Sequence, residues 1–147
     1  MTIGRDTTGT CAWDAVIAAG PTAPADARRW ARWLADVVDP GRLDDAMLML
    51  SELVTNAVLH SGRPAGAPIH LSGRLAGDRV RIGVCDCGRG FEMTCPPELP
   101  RDASPGGRGL WIVNRLADRL LVDAACGRVV VELTRRGGPA RPSADPG

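Results

Sequence analysis

The hydrophobic period changes partway along this chain, and that change limits the folds open to it. From Leu43 to Val58 the apolar residues Leu43, Met47, Leu50, Leu53, Val54, Ala57 and Val58 recur at the spacing of one helix face. From Arg79 to Cys85 the residues alternate. Val80, Ile82 and Val84 fall on one side, and Arg79, Arg81 and Gly83 fall on the other, as in a half-buried strand. An amphipathic helix needs an apolar surface to lie on, and a one-sided strand supplies it. The expected fold class is therefore α+β: a two-layer sandwich with helices on one face of a mixed, mainly antiparallel sheet.

The remaining segments fit that plan. Cys11 to Ile17 reads as an edge strand. Pro21 to Pro24, with Asp26 in the first turn, opens a helix whose inward face is Ala27, Trp30, Ala31, Leu34, Val37 and Val38. Asp39-Pro40-Gly41 stops it, and the next helix begins near Leu43, where Asp44 and Asp45 suit a positive N-terminal end. That helix should end around His60-Ser61-Gly62. Ile69 to Gly73 reads as a strand, followed by a turn at Ala76-Gly77-Asp78. Gly109 to Leu120 returns to helical spacing, with Leu110, Val113, Leu116, Ala117 and Leu120 inward. Leu120 to Ala125 and Arg128 to Thr134 then form a hairpin around Cys126-Gly127. Residues 1–9 are expected to be a flexible tail, 10–136 one domain, and the Gly- and Pro-rich 137–147 a disordered tail.

Composition removes several chemistries. All 18 basic residues are Arg, so no lysine is available for a Schiff base, a Walker A loop or a kinase strand. Tyrosine is absent too, and Phe91 is the sole phenylalanine, leaving little to stack bases on. A net charge of +1 gives no bulk attraction to nucleic acid or an anionic membrane. The N-terminal MTIGRDTTGTCAW has no apolar run of a signal peptide, and no stretch nears a membrane span of about 20 apolar residues. A cytoplasmic location is expected, with Cys11, Cys85, Cys87, Cys95 and Cys126 as reduced thiols. Cys85-x-Cys87 with Cys95 is poorly spaced for zinc.

Three short segments carry candidate chemistry. In Ser51-Glu52-Leu53-Val54-Thr55-Asn56-Ala57-Val58-Leu59-His60, Glu52 and Asn56 stand one helical turn apart on the polar stripe opposite the leucines. A carboxylate there can accept a proton, and a carboxamide oxygen can ligate a hard cation. In Val84-Cys85-Asp86-Cys87-Gly88-Arg89-Gly90-Phe91, Asp86 shares the parity of Val80, Ile82 and Val84 and should point to the helix side as the strand ends. Gly88 and Gly90 then let a flat ligand approach the backbone. Gly106-Gly107-Arg108-Gly109-Leu110 lies at the mouth of a helix, where free N–H groups suit an anion such as phosphate. Taken singly, the three segments also read as a solvated helix face, a tight turn and a loop end.

In this order and spacing they resemble the N, G1 and G2 boxes of the GHKL ATPase superfamily, which includes gyrase, histidine kinases, a heat-shock chaperone and mismatch-repair ATPases. SELVTNAVLHS and GGRGLWIVNRLAD look most like its small bacterial branch, the anti-sigma-factor serine kinases. The resemblance covers roughly Cys11 to Thr134 and implies the Bergerat type of ATP-binding sandwich. It implies that Asp86 accepts the adenine amino group, that Gly88 and Gly90 shape the base pocket, and that Asn56 holds Mg²⁺. Glu52 would be the general base, and Gly107, Arg108, Gly109 and Leu110 would lie at the phosphates. The lack of lysine agrees, since this fold binds ATP without a Walker lysine.

The function implied is an ATP-binding anti-sigma-type regulator that phosphorylates a serine of an anti-anti-sigma (STAS-type) partner and sequesters a sigma factor. Neither nucleic acid nor membrane is expected as a direct partner, and a homodimer is left open. The rival reading is a non-catalytic nucleotide-binding module that works by sequestration alone. The lid between the boxes, Glu92 to Pro105, is short and Pro-rich with Arg101 its only base, which favours that rival. An orphan histidine-kinase domain fits less well, because His60 and His70 are poorly placed as phosphoacceptors and there is no room for a dimerisation helix pair.

Overall fold

Pro40 both closes one helical stretch and opens the next. The computed structural model describes residues 2–5, 9–88 and 108–136. It has an α-helix at Ala23–Trp30 (α1), a 3-10 stretch at Ala31–Asp36, and a 21-residue helix at Pro40–His60 (α2). A start near Leu43 was expected. Proline loses nothing in the first turn, where its missing N–H would have no helical partner, so α2 begins at once after the stop. The helix ends as expected, with Ser61 as C-cap and Gly62 at φ 67 in the left-handed region that glycine tolerates.

The sheet has six strands: Thr2–Arg5 (β1), Cys11–Ala18 (β2), Pro68–Ala76 (β3), Arg79–Cys85 (β4), Arg119–Asp123 (β5) and Arg128–Thr134 (β6). Their order is β1-β2-β3-β4-β6-β5, and every pairing is antiparallel. Two expectations are corrected here. Thr2–Arg5 is not tail but the edge strand, and β2 is therefore an interior strand. The polar TIGR segment has no apolar period to mark it. Its backbone pairing with β2 is what makes it a strand. Residues 137–147 and the segment 92–105 read as a lid lie outside the described residues.

One face of the sheet carries the core. Trp13, Ile69, Leu71, Val80, Ile82, Val84, Val129, Val131 and Leu133 are buried beneath Leu34, Met49, Leu50, Leu53, Val54 and Val113 of the helical layer. Trp33 stacks on Trp13 at 4.0 Å between ring centroids, and Trp30 meets Trp33 edge-on. Gly73 makes room for that stack, since a Cβ there would overlap the Trp33 ring.

The last helix, Gly109–Leu116 (α3), stops four residues short of the expected Leu120. Leu120 fits helical spacing after Leu116 and strand alternation before Val122 equally well. Remote contacts decide it: Asp118 accepts the Thr134 N–H at 2.7 Å and pairs with Arg42 of α2 at 2.8 Å, and the Asp118 N–H bonds the Glu132 carbonyl at 2.9 Å. The backbone is already extended at Ala117, so Leu120 enters β5.

Candidate functional site

Helix α2 spans the site and touches its two other parts. Glu52 and Asn56 are half-buried on it, one turn apart, on the flank that packs toward α3. The Glu52 carboxylate reaches the first residue of α3, where a Cβ added to Gly109 would lie 2.7 Å from Glu52 Oε2. Any larger residue at 109 would push this carboxylate away from the helix end. Arg108 is the exposed N-cap of α3, and Leu110 anchors the first turn against the core. The start of α3 therefore carries N–H groups that have no partner within the helix, with a carboxylate beside them.

At its other end α2 meets the turn that follows β4. Asp86 continues the inward parity of Val84, as expected, and only 7% of its surface is exposed. Its Oδ1 accepts the Gly88 N–H at 2.7 Å, closing a tight turn across Cys87, which sits at φ 52. Two glycines enclose the carboxylate. A Cβ at Gly88 would come within 2.7 Å of the Ser61 carbonyl oxygen and 2.9 Å of Asp86 Oδ1, and one at Gly127 would overlap Oδ1 outright. Among the described residues the Gly88 N–H is the donor that meets this carboxylate, and a carboxylate can accept about four such bonds. The group is thus held in place with acceptor capacity left for a ligand that donates.

The helix rise sets the separation of these parts. Ser61 lies nine positions after Glu52, so the α3 end and the Asp86 turn lie roughly 13 Å apart along α2, with Asn56 between them. Of the residues singled out in the sequence, Glu52 and Gly109 touch, and Asp86 and Gly88 are joined by a hydrogen bond. Gly90 and Gly107 lie outside the described residues. Among the described residues no helix is long and apolar enough to cross a membrane, and no group of three His, Cys, Asp or Glu side chains could hold a metal.

Sequence reasoning missed three contributors. Arg63, just past α2, donates from Nη1 to the carbonyls of Asp86 at 3.3 Å and Cys87 at 3.2 Å, fastening the turn from outside. Ser61 is buried beneath the turn, and its Oγ accepts the Arg63 N–H at 3.2 Å. Gly127, in the β5–β6 hairpin, supplies the wall behind Asp86 and accepts the Asp86 N–H through its carbonyl at 3.3 Å. The residues Arg63 and Gly127 meet at Asp86 are 23 or more positions away, and no local period announces such contacts.

The donor set suits an adenine nucleotide with a hard cation. A buried carboxylate fits the exocyclic amine, a carboxamide and a carboxylate fit a divalent ion, and a helix N-terminus fits phosphate. Comparison with known proteins agrees with the resemblance read from the sequence. Residues 17–135 match the family model for the histidine kinase-like ATPase domain. A segment of 102 residues is 32% identical to serine-protein kinase RsbW of Halalkalibacterium halodurans, covering 63% of this chain and 62% of that protein. Sheet, helices and family match coincide over most of the described residues, and the chain belongs to the histidine kinase-like ATPase domain family.

Proposed function

We propose that this chain is an ATP-binding, anti-sigma-type regulator that transfers the γ-phosphoryl group to a serine of an anti-anti-sigma (STAS-type) partner, and that it also sequesters a sigma factor in the cytoplasm. The carrying observation is that one helix, α2, places Glu52 at the start of α3 and Ser61 beneath the Asp86 turn. The 32% identity to a protein named a serine-protein kinase supports the kinase reading.

In this reading Asp86 accepts the adenine amino group, with Gly88 and Gly127 keeping the carboxylate upright and Arg63 holding its backbone. Gly90 belongs to the same base pocket. Gly107, Arg108, Gly109 and Leu110 meet the phosphates, and Asn56 offers its carboxamide oxygen to Mg²⁺. When bound, Mg²⁺·ATP supplies the transferable phosphoryl group and screens its charge. Glu52 orients the partner's serine hydroxyl and accepts its proton at a carboxylate oxygen.

Replacing Glu52 tests this. A general base matters in the transition state and little in ground-state binding, so Glu52→Gln should spare ATP affinity and slow phosphoryl transfer roughly 10²–10⁴-fold. Mass spectrometry of candidate partners after incubation with Mg²⁺·ATP reads the phosphoserine. Equal phosphorylation by both proteins removes Glu52 from the mechanism. No phosphorylation by either, with sequestration intact, would make the chain a binding module.

A further inference from the structure

The thiols of Cys85 and Cys87 flank Asp86 in sequence and meet in space, with Sγ atoms 3.4 Å apart. In an extended chain, Cα atoms two residues apart stand roughly 7 Å from each other. The left-handed backbone at Cys87, φ 52, folds the second thiol back over the first. Cys87 is exposed and Cys85 half-buried, so one sulfur faces solvent with the other directly behind it. Burial, reinforced by the hydrogen bond shared with the Cys87 thiol, holds the Cys85 thiol above the usual range. Among the described residues Cys126 also lies near: its carbonyl oxygen accepts from the Cys85 thiol at 3.6 Å, while its own sulfur turns to the Asp123 carbonyl at 3.8 Å.

We propose that Cys85 and Cys87 are a dithiol modification site, closed to a disulfide by a hydroperoxide, and that closure displaces Asp86 and weakens nucleotide binding. The Cys87 thiolate attacks a peroxide oxygen. An S–O bond forms, the O–O bond breaks, and the alkoxide or hydroxide takes up the proton that Cys87 released. Cys85 then attacks the resulting sulfenic sulfur: an S–S bond forms, the S–O bond breaks, and water leaves with the Cys85 proton. Two thiols lose two electrons, and one hydroperoxide is reduced to alcohol and water, or to two waters.

Closure must draw the sulfurs together by more than an ångström to reach bonding distance. That motion turns the Cys87 backbone, whose carbonyl is held by Arg63 and whose neighbouring Gly88 N–H holds the Asp86 carboxylate. Losing one such charged hydrogen bond lowers affinity about tenfold or more. This second half rests on the nucleotide reading; the first half does not.

The test treats the full chain with one equivalent of hydrogen peroxide, then maps tryptic peptides and titrates ATP by calorimetry. Both thiols fall on the single peptide Ile82–Arg89, while Cys126 falls on Leu120–Arg128. The expected result is an Ile82–Arg89 peptide lighter by two hydrogens, reversed by dithiothreitol, with ATP affinity about tenfold lower in the oxidised protein. Peroxide should leave the ATP affinity of Cys87→Ser where it stood before treatment. Cross-linked peptides, or peptide Ile82–Arg89 unchanged in mass, overturn the dithiol. A closed disulfide with unchanged ATP affinity overturns the coupling. Failure of the reduced protein to bind ATP would overturn the nucleotide reading and the coupling with it, while peptide mass still judges the dithiol.

Discussion

Gly127→Ala separates the space behind Asp86 from the ordinary cost of a turn glycine. The chain provides its own control in Gly77, at the β3–β4 turn. Gly77 has φ 60 and nothing within 4 Å of an added Cβ, whereas Gly127 has φ 66 and a Cβ there would overlap Asp86 Oδ1. Both substitutions force a β-carbon into the left-handed region, at roughly 1–2 kcal/mol, and both recover some of that because alanine loses less freedom on folding. Gly77→Ala should therefore cost about 1 kcal/mol. At Gly127 the carboxylate must also swing away from the Gly88 N–H that holds it at 2.7 Å, forfeiting a charged hydrogen bond of about 1.5–3 kcal/mol.

The two variants should thus differ by about 2 kcal/mol, or roughly 4–8 °C in melting temperature for a chain of this size. Urea titration and differential scanning calorimetry measure the difference directly. Nucleotide affinity provides a second reading. The displaced carboxylate should lower ATP affinity roughly ten- to a hundredfold in Gly127→Ala and leave it unchanged in Gly77→Ala. Repeating both substitutions in an Asp86→Ala background removes the obstructing oxygen, so the Gly127 penalty should fall to the Gly77 value. If the two glycines already cost the same with Asp86 present, and ATP binds equally to both variants, Asp86 does not stand against Gly127 and the adenine assignment fails with it.

Other expectations follow from the same geometry. Asp86 should make the pocket prefer ATP to GTP by about ten- to a hundredfold, because guanine offers a carbonyl where adenine offers an amine; equal calorimetric affinities would refute this. Asn56→Ala should abolish the Mg²⁺ dependence of ATP affinity, and a variant that keeps it places the cation ligand elsewhere. On the outer sheet face, Glu132 is buried between Arg81 at 2.7 Å and Arg79 at 2.5 Å, and the Arg81 hydrogen bond, first among several causes, holds its carboxyl below the usual range. A depressed carboxylate stabilises above its unfolded value of about 4.3 and loses that contribution as pH falls through its folded one. Glu132→Gln should therefore lower the urea midpoint at pH 7 and flatten its decline below about pH 4.5; a parallel decline in both proteins would exclude Glu132 as the source.

What could be read from the sequence was whatever one segment decides alone. Helix α2 and strand β4 each carry their own hydrophobic period, so both were legible, and the inward parity of Asp86 followed from Val84. Even there the stripe was read incompletely: Ala46 and Met49 are buried in α2 beside the leucines, while Leu43, Met47 and Val58 are only half-buried. Boundaries set by distant partners were not legible. Leu120, read both as the last inward helix position and as the first strand residue, became strand because Asp118 bonds β6 and α2, and Thr2–Arg5 became strand because β2 had a free edge. The same division runs through the site. Glu52, Asn56 and Asp86 lie in local motifs, whereas Arg63 and Gly127 act on Asp86 from other segments and leave no local trace.

The position of Glu52 also constrains how a nucleotide could enter. Its carboxylate lies against Gly109 at the positive end of α3, the same end that the proposed reading gives to phosphate. Two anions at one helix terminus repel, and a half-buried setting screens them less than open solvent would. Cation-free triphosphate should therefore meet an opposing charge that Mg²⁺·ATP largely neutralises before it arrives. In the proposed reading Asn56, one turn along α2, would offer the ion a carboxamide oxygen that adds no second negative charge beside Glu52 and the phosphates. A carboxylate at both positions would attract the cation more strongly and repel the phosphates more strongly as well. In the proposed reading, pairing one acid with one amide at these two positions leaves Glu52 as the charged member of the pair, which suits a general base to which ground-state binding owes little.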